Sequence, residues 1–336
     1  MMRLLKHAAI SVSSGCALLL FSALAAYGQM RDAQPPVVQS SGVVAEIPSP
    51  RGERCEALLK QSEESIGKQD FSSAIALAQR AAAVCEEQAA PLLLMARAQM
   101  LSHQFDAAEQ SLSGVLKRDP HNVPALILLG QVEYLDNHDA DAAVSFQKAI
   151  AAAPDKPDPH YWLGRLRYQD GKVEQAIGEF QAALRIDPAY YKAYDGLGLC
   201  YEAMGENGHA AEAYLKAVDL VHKDHPDYDV VYADFAELLL KVGKDRQAFE
   251  LAEEAASRNP RVPRNFFLAG KALERGDHDD DDALRWLLKA AQMDPDYADP
   301  HYLLARIYRR EGKLDDANKE VATFKELSAR APKVRR

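Results

Sequence analysis

Between residues 55 and 331, small and apolar positions return at an interval of 34 residues. The unit from 157 to 190 shows the pattern best. A Leu163-Gly164 pair is followed by Tyr168, a turn at Gly171, then Ala176, Phe180 and Ala183, and the unit closes on Asp187-Pro188. The same signals stand 34 residues later at Leu197-Gly198, Tyr201, Gly205, Ala210, Tyr214 and Ala217, and 34 residues earlier at Leu129-Gly130, Tyr134, Ala142, Phe146, Ala149 and Pro154. Such a unit predicts two helices that cross at the small residues, a tight turn between them and a proline after the second.

With Gly164 taken as position 8, eight units fall at 55–88, 89–122, 123–156, 157–190, 191–224, 229–262, 263–297 and 298–331. Position 20 is alanine in all eight: Ala74, Ala108, Ala142, Ala176, Ala210, Ala248, Ala283 and Ala317. Position 8 is always small: Ser62, Ala96, Gly130, Gly164, Gly198, Ala236, Gly270 and Ala305. Two helices that approach this closely leave no room there for a side chain. The period and its small positions resemble the tetratricopeptide repeat. The resemblance covers residues 55–331 and implies an all-α fold, a right-handed superhelical solenoid of about eight helix-turn-helix units. It also implies a single elongated core and a protein-binding scaffold rather than an enzyme.

Departures from the repeat are informative. The first unit lacks the usual aromatic, Gly and Pro, as expected of a terminal repeat with one face in water. Cys55 and Cys85 stand at positions 1 and 31, adjacent ends of an antiparallel hairpin. They serve either as a disulfide or as two small apolar thiols, and an exported chain favours the bond. Cys200 has no partner in the sequence pattern and is expected to be buried and free. Turns at 102–104 and 136–138 carry Ser, Asp and Asn, which predicts side-chain capping of the helices that follow. Four extra residues near His222 to Pro226 predict a second helix longer by one turn, its histidines solvated. One extra residue lies in the acidic run Gly276 to Asp282, which lacks the spacing of a calcium loop. In the last unit, Lys325 and Asn318 replace apolar residues, so its second helix is expected to face water.

Ahead of the repeats, residues 1–28 have a basic start (Arg3, Lys6), an apolar centre and small residues at the end, and read as a secretory signal peptide. An uncleaved membrane anchor is the alternative. Residues 29–54, rich in Pro, Ser and Gln, read as a flexible linker, and residues 332–336 as a basic tail. The whole chain has 40 Lys and Arg against 50 Asp and Glu. Removing the signal takes away two basic residues and no acid, so the mature charge is 38 − 50 = −12. Nucleic acid is therefore not an expected partner. The chain is expected outside the cytoplasm, periplasmic or secreted.

No nucleophile elbow, phosphate loop, H-E-x-x-H or paired C-x-x-C occurs in the sequence. No catalytic, cofactor or metal site is expected. His160 and His301 share position 4 and read as packing or capping residues. In the resembled family, positions 2, 5, 9, 12 and 13 of each first helix line a concave groove. Here they give an apolar floor in units two and three, with Arg97, Met100, Ile127, Gln131 and Tyr134. Unit four adds Tyr161, Arg165 and Tyr168. Units seven and eight supply a cationic, aromatic end: Arg264, Phe267, Lys271 and Arg275, then Tyr302, Arg306, Arg309 and Arg310. Such an end on an acidic chain points to an acidic protein or peptide segment as partner. The expected role is an adaptor or assembly factor at a cell envelope. An accessory subunit of a separate envelope enzyme and an end-to-end self-assembling protein are the alternatives.

Overall fold

The computed structural model describes residues 50–85, 88–225, 227–276 and 280–330. The signal segment, residues 29–49 of the linker and the basic tail lie outside them. The chain divides at Ile47, and all described residues belong to the unit from Pro48 to Arg336.

Sixteen helices make eight antiparallel pairs, and no strand occurs among the described residues. The first four pairs are α1 (Pro50–Gly67) with α2 (Phe71–Val84), α3 (Ala90–Leu101) with α4 (Phe105–Arg118), α5 (Val123–Leu135) with α6 (Asp139–Ala152), and α7 (Pro157–Gln169) with α8 (Val173–Ile186). The other four are α9 (Tyr191–Ala203) with α10 (Asn207–Asp224), α11 (Val230–Lys241) with α12 (Asp245–Arg258), α13 (Pro263–Arg275) with α14 (Asp280–Met293), and α15 (Ala298–Arg310) with α16 (Leu314–Arg330). The insertion in unit five lengthens α10 to 18 residues, one turn more than the 14 of α8. At the start, α1 begins at Pro50, so residues 50–54 are helix rather than linker. Proline suits a first turn, where its missing N–H has no intrahelical partner to lose.

Among the described residues, the hairpin turns are built in the same way. Position 15 takes left-handed backbone at Gln69, His103, Asn137, Gly171, Gly205, Gly243 and Gly312, with φ from 58° to 78°. The next N–H then reaches back to position 11, as from Gln104 to Gln99 (2.8 Å), Lys172 to Arg167 (2.9 Å) and Lys244 to Leu239 (2.8 Å). This backbone bond closes the first helix. The side-chain caps expected from the turns at 102–104 and 136–138 do not form. Gln104 and His138, which precede α4 and α6, make no capping hydrogen bond. The left-handed residue sets those turns with a backbone bond, the Ser102 hydroxyl donates back to the Ala98 and Gln99 carbonyls of α3 instead of capping α4, and side-chain caps occur elsewhere. Asp70 accepts from the Ser73 amide and Asn122 from the Ala125 amide, each at 3.1 Å.

Within a pair, position 8 faces position 24. A Cβ placed on Gly130 would stand 2.6 Å from the Phe146 ring, and one on Gly270 2.7 Å from Leu287. Where position 24 is Ala78 or Ala252, position 8 carries Ser62 or Ala236 instead, so the two positions trade volume. Ser62 is fully buried, and its hydroxyl donates to the Ala74 carbonyl at 2.9 Å. All eight alanines at position 20 are buried. His160 and His301 each bridge a hairpin, with Nδ1 at 2.7 Å and 2.6 Å from Glu179 and Glu320.

Among the described residues, every first helix touches the first helix of the next unit, from α1 with α3 to α13 with α15, while no second helix touches the next second helix. First helices therefore crowd on the inside of the curve and second helices splay on the outside. The core is uneven along the array. One continuous cluster of buried apolar side chains runs from Ala210 to Ile307, whereas five smaller clusters divide the rest. At the other end, Cys55 and Cys85 are joined in a disulfide with their Cα atoms 5.5 Å apart, and it ties α1 to the end of α2. Cys200 is free and fully buried, and burial pushes its thiol up to about 12.

Candidate functional site

The inner face of the last two units encloses a cavity of about 720 Å³. Arg264, Phe267, Lys271 and Arg275 of α13 line one side, and Tyr302 and Arg306 of α15 line the other. Tyr297, Asp299, Leu268, Leu303, Glu237 and Phe324 complete the wall. These six cationic and aromatic residues sit at positions 2, 5, 9 and 13 of one first helix and 5 and 9 of the next. A helix whose neighbour lies alongside presents that stripe to the inside.

Most of these cations are already engaged. Arg264 bonds Asp234 at 2.7 Å and Glu237 at 2.6 Å. Arg275 lies 3.3 Å from Asp245, and Arg306 lies 3.2 Å from Glu274. Arg310 is held at 2.5 Å by both Glu274 and Asp280. Glu274 is fully buried, so two guanidiniums offset the desolvation of its charge. Lys271 differs: its ammonium sits 5.6 Å from the Phe267 ring centre, and no carboxylate lies within ion-pair reach among the described residues. Lining the cavity are four cations against two carboxylates.

A second cavity, of about 230 Å³, adjoins the first, and Arg264 and Glu237 belong to both walls. Its lining includes Tyr168, Leu199, Glu202, Ala203, Asp234 and Lys241. Lys241 meets Glu202 at 3.3 Å. Close by, Asp195 is 4% exposed and Asp234 is 7% exposed. Burial raises both carboxyls. Asp195 is pushed well above the ordinary aspartate range by that burial and then by the charge of Asp234, against which the Tyr228 hydroxyl donates to it at 3.2 Å. Asp234 is raised less, since Arg264 bonds it directly. Sequence reasoning passed over these acids. Yet Asp195, Leu199, Glu202 and Ala203 occupy positions 5, 9, 12 and 13 of unit five, and Glu237 and Lys241 positions 9 and 13 of unit six. The rule that named the other groove residues finds these six when it is applied to every unit, but not Asp234, which stands at position 6.

The remaining groove residues are not gathered into either cavity. Tyr161 is 6% exposed and packs against Phe180 and Tyr190, with ring centres 6.0 Å and 5.8 Å away. It is chiefly a core residue, and its hydroxyl accepts from Arg165 at 3.1 Å. Arg97, Met100, Ile127, Gln131 and Tyr134 line neither cavity, and nor do Arg309 and Arg310. Arg310 is turned to Asp280 at the hairpin end, away from the cavity expected of it. Glu109, Asp136 and His138 bring ligand-type atoms within 4.8 Å of one another, a grouping no linear motif marks. Asp136 and His138 pair there at 3.4 Å.

Four tetratricopeptide-repeat family descriptions match the sequence, over residues 93–157, 164–205, 191–220 and 286–317. The chain is a tetratricopeptide-repeat protein. Among its relatives, anaphase-promoting complex subunit 3 of Schizosaccharomyces pombe is 22% identical over 64% of this chain and 32% of its own length. The TPR repeat-containing protein YpiA of Bacillus subtilis is 31% identical over 36% of this chain and 27% of its own. This chain thus spans about a third of those relatives. The solved Cut9–Hcn1 complex has the same fold, with a TM-score of 0.63 at 15% identity, covering 82% of this chain and 53% of that one. Pseudomonas aeruginosa PilF does too, with a TM-score of 0.55 at 21% identity, covering 64% and 95%. A tetratricopeptide-repeat protein of this kind is an interaction scaffold, and the family binds protein partners. No helix among the described residues is long and apolar enough to cross a membrane.

Proposed function

We propose that this tetratricopeptide-repeat protein is exported and holds an acidic peptide or protein segment in its concave groove, acting as an adaptor or assembly factor at a cell envelope. The observation that carries the reading is the cavity of units seven and eight. There Lys271 stands unpaired by any described carboxylate beside Phe267, Tyr302 and Arg306, in a chain of net charge −10. A local cationic cleft on an acidic body attracts acidic segments and discourages basic ones, and its rings give apolar side chains a surface to stack on. Export rests on the N-terminal sequence, and the Cys55–Cys85 disulfide suits an oxidising compartment.

The test is a titration of the mature chain with a fluorescein-labelled peptide of alternating Glu and Phe. Lys271→Glu together with Arg306→Glu should weaken binding by roughly tenfold or more, and the loss should shrink as salt rises. Lys325→Glu, exposed on the outer helix, should leave binding unchanged. Equal binding by all three proteins would sink the acidic-ligand reading. Export is checked separately, by N-terminal sequencing of the protein from fractionated cells.

A further inference from the structure

The smaller cavity is acidic where its neighbour is basic. Glu202, Asp234 and Glu237 face it against Lys241 and Arg264. Asp195 is more than nine-tenths buried, and its Oδ1 is shielded from solvent with no hydrogen-bond partner among the described residues. Its electrostatic neighbours, Asp234, Arg165 and Arg264, come from three other units and stand on first helices. The side chain therefore looks to the inside of the curve. A buried carboxylate oxygen without a donor is costly. Two of those neighbours, Asp234 and Arg264, line the smaller cavity, whose size, at about 30 Å³ per water, equals the share of about eight waters. That is room for one long side chain.

We infer that the cavity walled by Glu202, Asp234 and Glu237, with Asp195 as the buried charge neighbour of Asp234, is a subsite for the ammonium or guanidinium head of a lysine or arginine in the bound segment. Tyr168 and Leu199 offer the stem of that side chain an apolar wall, and the carboxylates receive its donors. This inference rests on the groove reading above and sharpens it. The ligand is bipartite, with one basic residue in units five and six and acidic residues in units seven and eight. Neighbouring helices stand about 8–10 Å apart, and an extended peptide advances about 3.3 Å per residue. The two charges should therefore be separated by about three residues.

Fluorescence polarisation with defined peptides tests this. Arg-Ser-Ser-Ser-Glu-Glu-Glu and its reversed sequence are each compared with a twin carrying neutral citrulline in place of arginine. In one order, the arginine peptide should bind roughly tenfold tighter than its twin. The double variant Asp195→Asn, Glu202→Gln should erase that advantage without lowering the melting temperature. Asp195→Asn alone is isosteric and guards against a folding effect. Twins that bind alike to the native protein, or no binding in either order, overturn the subsite. Alike twins whose binding falls with Lys271→Glu would leave the acidic-ligand reading standing. An arginine preference that survives Lys271→Glu would support the subsite and count against that reading.

Discussion

Gly164 and Phe180 meet across the hairpin of α7 and α8 so closely that a Cβ on the glycine would lie 2.8 Å from the ring. Gly178 of the same hairpin has nothing within 4 Å of its own missing Cβ. One substitution should therefore have opposite signs at the two sites. Gly164→Ala is expected to destabilise by about 1–3 kcal/mol through overpacking, and Ala176→Leu at the other small position by a similar amount. Gly178→Ala should stabilise by about 0.5–1 kcal/mol, because alanine is the better residue in a helix interior. Urea denaturation of the three variants reads all of this, and a neutral Gly164→Ala would mean that the hairpins are not packed as described.

The disulfide predicts how the first unit behaves. Its hairpin is packed by two of the small clusters, one of Cys55, Leu58, Ala81 and Cys85 and one of Ile66, Ala74 and Ala98. Reduction should therefore loosen α1 and α2 well before the continuous core from Ala210 to Ile307. Replacing both cysteines by serine should cost about 2–4 kcal/mol in that region. Hydrogen exchange read by mass spectrometry should show protection lost in residues 50–85 and retained in α11 to α13. Free thiols at both cysteines in non-reduced protein would contradict the staple.

Asp195 makes stability depend on pH in an unusual direction. Its folded-state carboxyl is raised by burial and by Asp234, so the folded chain holds that proton more tightly than the unfolded chain does. Stability from this group is complete below the unfolded value of about 3.9 and is lost as pH rises through the folded value. Asp195→Asn should then stabilise at pH 7.5, by about 1.4 kcal/mol for each unit by which the folded value exceeds the unfolded one. The gain should vanish near pH 3.5. The amide still accepts from Tyr228. A variant that is less stable than the parent at pH 7.5 would show that Asp195 is ionised and well solvated.

Much of this was legible in the chain because a repeat writes the same local problem eight times. The small residues at positions 8 and 20 and the extra turn of α10 follow from spacing, and so does the outward face of Lys325. Helix starts were less visible, since α1 runs back to Pro50 through residues whose composition reads as linker. The turns held another limit. Gln69, His103 and Asn137 take the left-handed backbone that glycine takes in four other units, and at His103 and Asn137 the helix that follows lacks the expected side-chain cap.

The resemblance to the tetratricopeptide repeat implied which helix of each pair faces inward and which positions form the inner stripe, and what the sequence determined by itself is the scaffold: eight helical pairs and the small positions where they cross. Those depend on separations within one unit, where side-chain size and helix period decide the packing. Only the tertiary structure decided which charges on that stripe are spent and which face the groove. Arg310 finds Glu274 and Asp280 from 36 and 30 residues away, and Arg264 finds Asp234 across 30. Asp195 and Asp234 come from neighbouring units to share one buried site. A charge's role depends on its nearest opposite charge and on its exposure. Both are set by how one unit is stacked on the next.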